Sequence, residues 1–162
     1  MKTIDFEQKQ HIHFIGIGGI SMSALAHILL ARGFQVTGSD SKESDLTKEL
    51  ASLGAVIYIG QSKDNISKDI DLIVYTAAIS KENPELVRAQ ELGIETMTRA
   101  DFLGILMKNY ETTICVSGTH GKTTTTSLIS QILIDAETDP TVMVGGILPA
   151  IGGNIRIGKS GN

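Results

Sequence analysis

"HFIGIGGISMSALA", His13–Ala26, runs from a short apolar stretch through three glycines into a segment with helical spacing. His11–Ile15 reads as a strand. Met22, Leu25, Ala26 and Leu29 recur at i, i+3, i+4 and i+7 and predict a helix over Ser21–Arg32, closed by Gly33. A strand, a glycine turn and a helix open a parallel βαβ unit. In such a unit Gly16 permits the tight turn and Gly18 lets a diphosphate approach the backbone, with Gly19 in the same loop. The helix start behind them offers N–H groups and a partial positive charge to phosphate. The third glycine of G-x-G-x-x-G is here Ser21, a small residue.

The alternation continues. Strands are expected at Gln35–Gly38, Ala55–Tyr58, Asp71–Thr76 and Ile94–Met97. Helices are expected at Leu46–Leu53, from Pro84 to about Leu92 and at Ala100–Lys108. Pro84 suits a first helical turn, where a missing N–H costs nothing. Short strands alternating with helices imply a doubly wound α/β sheet. At the end of the second strand, "GSD" places Ser39 and Asp40 where an acid accepts hydrogen bonds from ribose hydroxyls. An alternative reading makes Asp40 only the cap of the next segment. The glycine pattern does not separate NAD, FAD and a UDP-sugar, each of which carries a ribose and a diphosphate.

Near Lys108–Thr112 the pattern restarts. Thr113–Ser117 reads as a buried strand, Lys122–Asp135 as a helix and Thr141–Val144 as a further strand, before a glycine-rich segment. Between the first two lies "GTHGKT", Gly118–Thr123. The longer G-x-x-x-x-G-K-[ST] form would need glycine where Val116 stands, so the match is to the shorter G-T-x-G-K-T. Backbone N–H groups of residues 118–122 would cradle phosphates. Lys122 would neutralise β/γ charge, and the Thr123 hydroxyl would reach Mg²⁺. Thr124, Thr125 and Thr126 are poor helix formers, and a functional load on the first turn accounts for the early ones. On the residues alone His120 reads as a solvated loop residue rather than a ligand contact, and Cys115 reads as core packing.

Composition narrows the class. Of 162 residues, 41% are hydrophobic but only 4% aromatic, so the core must be built from Ile, Leu, Val and Ala. A net charge of −4 without a basic run argues against nucleic acid. The single cysteine permits no internal disulfide and fits a reducing compartment. No apolar run reaches the ~18 residues of a membrane span, and the N-terminus lacks the apolar stretch of a signal peptide. The expected setting is cytoplasmic. His11, His13 and His27 lack metal-ligand spacing and read as structural or surface residues.

A diphosphate-type glycine loop followed by G-T-H-G-K-T-T-T is an unusual pair, and it resembles the Mur ligases of bacterial cell-wall synthesis. "FIGIGGISMSALA", "GSD", "LGAVIYIG", "YTAAISKENPE", "TRADFLGILM", "VSGTHGKTTTTSLI" and "GGNIRIGKSGN" match that family in order over residues 11–162. The resemblance is strongest to the branch that adds L-alanine. It implies a Rossmann-like UDP-sugar domain over residues 1–108 and, over 109–162, the start of a P-loop ATPase domain that is cut short. The implied reaction is ATP-dependent: the lactyl carboxylate of UDP-N-acetylmuramate takes the γ-phosphoryl group, and the amine of L-alanine attacks the acyl phosphate.

Carried onto this chain, Gly16, Gly18 and Gly19 would meet the UDP diphosphate, with Ser39 and Asp40 near the nucleoside. Thr76, Ala77 and Ala78 would line the same pocket, and Arg99 would serve as a cation for the diphosphate. Gly118, Thr119, His120, Gly121, Lys122, Thr123 and Thr124 would bind ATP, with Lys122 and Thr123 acting in catalysis and Thr123 on Mg²⁺. Gln61 departs from the family's G-H-x-x-x-N. The family's acidic Mg²⁺ ligand, its later histidine and its amino-acid-binding domain would follow Asn162. The chain alone is therefore expected to bind UDP-sugar without turnover, and an incomplete second sheet would leave an edge able to recruit another strand. Two alternatives remain: a ligase that recycles murein tripeptide, and a non-catalytic UDP-sugar-binding module.

Overall fold

In a computed structural model, residues 4, 6–8 and 10–159 are described. The chain divides into two compact units, Met1–Leu106 and Met107–Asn162.

The first unit contains β1 (His11–Ile15), α1 (Ile20–Ala31), β2 (Gln35–Asp40), α2 (Asp45–Ser52), β3 (Val56–Ile59), β4 (Leu72–Tyr75), α3 (Pro84–Leu92), β5 (Glu95–Thr98) and α4 (Arg99–Leu106). The five strands are parallel in the order β3-β2-β1-β4-β5. This is the doubly wound arrangement expected from the alternating pattern. Every residue of the central strand β1 is buried, as befits a sheet covered on both faces. Successive side chains of a strand point to opposite faces. Phe14 meets Phe102 of α4 edge-on, with ring centroids 5.8 Å apart. Ile15 packs in a cluster with Ile66, Ile70, Ile73 and Ala89 of α3.

Local chemistry sets the boundaries. Asn83 caps α3 by accepting from the N–H groups of Glu85 and Leu86, Pro84 takes the first position, and Gly93 ends the helix in the left-handed conformation (φ 69°). Ser44 and Thr47 cap the start of α2 reciprocally. β2 runs two residues past Gly38, because parallel pairing with β1 and β3 continues through Ser39 and Asp40. A Cβ on Gly38 would lie 2.6 Å from Ile17 Cδ1 and 2.8 Å from the Phe14 carbonyl. The glycine is thus what lets the chain after β1 pack across β2.

The second unit contains α5 (Lys122–Asp135), β6 (Val142–Leu148) and β7 (Gly153–Arg156), the two strands forming an antiparallel pair. Two expectations are corrected here. Residues 113–117 form no strand, because no described strand pairs with them to supply a ladder. Cys115 is accordingly exposed rather than packed in a core, its Sγ 3.8 Å from Met107 Sδ. β7 lies in the glycine-rich stretch that carried no strand signal. Among the described residues no helix is long and apolar enough to cross a membrane.

Gly38→Ala should cost about 1–3 kcal/mol, the usual penalty for overpacking a tight core. Urea unfolding of the variant should show a lower midpoint with an unchanged slope; an unchanged midpoint would contradict this packing.

Candidate functional site

In the first unit the sheet order reverses beside β1: β2 and β3 lie to one side, β4 and β5 to the other. At such a switch point the loops leaving neighbouring strands diverge, and a crevice opens at the carboxyl ends. Three of the predicted segments meet there. The glycine loop leaves β1, Ser39 and Asp40 end β2, and Thr76 follows β4, with Ile15 paired to both Ser39 and Tyr75. A Cβ on Gly16 would sit 3.9 Å from Thr76 Cγ2. Ala77 and Ala78 form the exposed tip of a turn closed by the Ile79 N–H donating to the Thr76 carbonyl at 3.0 Å. Arg99, half-buried, opens α4 directly after β5.

The glycine loop is held from β2. The Ser39 carbonyl accepts from Gly16 N–H at 2.8 Å and Ile17 N–H at 3.0 Å, and Gly19 N–H donates to the Gly16 carbonyl at 3.2 Å. Asp40 Oδ2 accepts from Gly18 N–H at 2.8 Å. Gly16 has φ 83°, a conformation that favours glycine. A Cβ on Gly18 would meet Asp40 Oδ2 at 2.8 Å and Thr47 Cγ2 at 3.1 Å. All three glycine amides therefore have partners within the chain, and the glycines set the shape of the loop. At the start of α1, N-cap Gly19 brings no capping side chain and the first turn carries no acid.

Beneath the loop lies a buried polar group that motif reading missed. Glu85, on the first turn of α3, is fully buried. Its Oε2 accepts from Ser39 Oγ and its Oε1 from Asn65 Nδ2, each at 2.6 Å. His13 Nε2 stands 3.8 Å from Oε1. Burial pushes the Glu85 carboxyl up, but the nearby His13 ring and the hydrogen bonds from Ser39 and Asn65 outweigh it and hold the group below its ordinary value. His13 and His11 share the Thr37 hydroxyl at 2.8 and 3.0 Å, and His11 also reaches Asp69. Both are buried structural histidines. Gln61 accepts from Asn83 Nδ2 at 2.6 Å.

In the second unit Gly121 adopts the left-handed conformation (φ 79°) and caps α5 without a side chain, so Lys122 begins the helix. The Lys122 ammonium donates to the carbonyls of Gly118 and Thr119, the latter at 3.3 Å. Loop and lysine thus form one compact turn at a helix N-terminus, the geometry suited to phosphate. Thr119, His120, Thr123 and Thr124 are exposed around it, and a Cβ on Gly146 of β6 would lie 3.7 Å from Thr123 Cγ2. These residues fit a nucleotide phosphate. For a metal, Thr123 offers one hydroxyl, and the described residues include no group of three or more His, Cys, Asp or Glu that could hold an ion.

A doubly wound parallel sheet followed by a glycine–lysine loop at the start of α5 defines the class, an α/β protein of Rossmann-like architecture. The family model described as "Mur ligase family, catalytic domain" matches residues 11–111, and the chain belongs to the Mur ligase family. It is 61% identical over 160 residues to the UDP-N-acetylmuramate–L-alanine ligase of Agathobacter rectalis, covering 99% of this chain and 35% of that protein. The corresponding ligase of Clostridium kluyveri is 60% identical over 158 residues, covering 98% and 35%. The chain thus spans about a third of the length of these curated relatives. Among solved structures, the UDP-N-acetylmuramate–alanine ligase of Thermotoga maritima superposes with a TM-score of 0.84 at 38% identity, over 91% of this chain and 35% of that one. The UDP-N-acetylmuramate:L-alanyl-γ-D-glutamyl-meso-diaminopimelate ligase of Neisseria meningitides gives 0.84 at 28% identity, over 94% and 49%.

Because the native Glu85 carboxyl lies below its ordinary value of 4.5, its ionised form stabilises the fold above that pH. The contribution is lost as pH falls through the lower native value. The Tm difference between wild type and Glu85→Gln should be largest above pH 4.5 and close on acidification. A difference that is constant across the titration would contradict this.

Proposed function

We propose that the first unit binds UDP-N-acetylmuramate in the crevice between β1 and β4, and that the second begins the ATP-binding part of a ligase joining that substrate to L-alanine. The observation that carries the reading is the glycine loop at the switch point, preset by β2 and opening onto an uncapped helix start. On this reading the first turn of α1, Ile20–Met22, receives the diphosphate. Asp40 Oδ1 faces the ribose, and Thr76–Ala78 and Arg99 line the remainder. The Gly118–Thr124 loop takes ATP phosphates, Lys122 offsets charge developing in phosphoryl transfer, and the Thr123 hydroxyl is the Mg²⁺ contact. The ordered reaction then runs through phosphorylation of the sugar's carboxylate and attack by the amino acid's amine.

The alanine-adding branch is favoured over the recycling branch by identity. The chain is 61% identical to an alanine-adding relative and 28% identical to the tripeptide-ligating structure, although the folds superpose equally well. Spanning about a third of its relatives' length, the 162-residue chain is expected to bind the sugar nucleotide without turning it over.

Calorimetric titration of the chain should show saturable binding of UDP-N-acetylmuramate and none of NAD; the reverse preference would point to a dehydrogenase-type site. Substituting residues 1–162 for the equivalent segment of the Agathobacter rectalis relative should yield a ligase that consumes ATP with UDP-N-acetylmuramate and L-alanine. Consumption with preformed murein tripeptide in place of L-alanine would move the assignment to the recycling branch.

A further inference from the structure

We propose that Glu85 is the positioning residue of the sugar-nucleotide site, fixing the glycine loop at its entry and centre through the hydrogen bonds it accepts from Ser39 and Asn65 beneath it; this rests on the sugar-nucleotide reading above. The first arm runs through Ser39. Its hydroxyl donates to Glu85 Oε2 at 2.6 Å, while its carbonyl takes the Gly16 and Ile17 amides. The second arm runs through Asn65, which donates to Glu85 Oε1 at 2.6 Å and to the Gly60 carbonyl at 3.0 Å. The Gly60 N–H in turn donates to the Asp40 carbonyl at 2.8 Å, and the Asp40 side chain takes the Gly18 amide. Loop entry and loop centre are thereby referred to one carboxylate.

The chemistry requires the anion. Both close neighbours are donors, a hydroxyl and an amide N–H, and His13 on β1 faces the same carboxylate at 3.8 Å. A carboxylate accepts at both oxygens. A glutamine of the same shape has one acceptor oxygen: its NH₂ turned toward Asn65 sets donor against donor, and turned toward Ser39 it forces the hydroxyl to accept and takes away the acceptor of its O–H, in a fully buried place. Glu85 is bonded by Ser39 and Asn65 and not by the glycine loop, so its effect on the loop must pass through them.

The test uses the 162-residue chain, with UDP-N-acetylmuramate as probe. Glu85→Gln should weaken binding about tenfold or more, the scale of a lost hydrogen bond to a charged group. Amide exchange at Gly16 and Ile17 should quicken, while β5 and α4 stay unchanged. Ser39→Ala, which removes one hydroxyl and serves if Glu85→Gln fails to fold, should also weaken binding. The double variant should bind no more weakly than Glu85→Gln alone, because the Ser39 hydroxyl acts on the loop only through the Glu85 carboxylate. Binding within twofold of wild type with unchanged Gly16 and Ile17 exchange, or losses that multiply in the double variant, would overturn the proposal. If wild type itself does not bind, the sugar-nucleotide reading fails, and exchange at Gly16 and Ile17 alone decides whether Glu85 sets the loop.

Discussion

The carbonyl oxygen of Ser39 accepts hydrogen bonds from two consecutive amides, Gly16 and Ile17. That pair turns the chain out of β1 just where the parallel ladder ends, and the site depends on the turn. It fixes where α1 begins and brings Thr76 alongside Gly16. Gly38 has to be bare for Ile17 to pack across β2, so core packing and loop shape are one constraint. A loop held by main-chain bonds needs little rearrangement on binding, which favours affinity by lowering its ordering cost.

Much of this was legible from local signals. The glycine turn, the Asn83–Pro84 helix start and the Gly93 stop each depend on neighbouring residues, and each stands where the pattern put it. Strand existence followed from apolar runs between such stops. β2 continues to Asp40, two residues past the expected end, and Gly38 within it answers a contact from Ile17 after the neighbouring strand. Glu85 gave no signal, since an acid in a first helical turn is the ordinary partner of the helix dipole. Its burial comes from Ser39 and Asn65, which are distant in sequence. Residues 113–117 carry a strand-like composition, but composition does not supply the neighbour a ladder needs.

The two loops play different physical parts. In the first unit the glycines give up their amides to internal partners and act through shape. In the second, a lysine at the helix start closes over the carbonyls of its own loop. Family membership fits both: the Mur ligase match covers residues 11–111, and alanine-adding relatives align across nearly the whole chain.

On the proposed reading the diphosphate of a UDP-sugar sits on the first turn of α1 above a loop preset by β2. Amide chemical-shift mapping of the chain with UDP-N-acetylmuramate tests it most directly. The account predicts saturable shifts at Gly19–Met22, Asp40 and Thr76–Ala78, with Gly118–Thr124 unmoved. Shifts confined to Gly118–Thr124, or spread without a cluster at the β1–α1 turn, would contradict it.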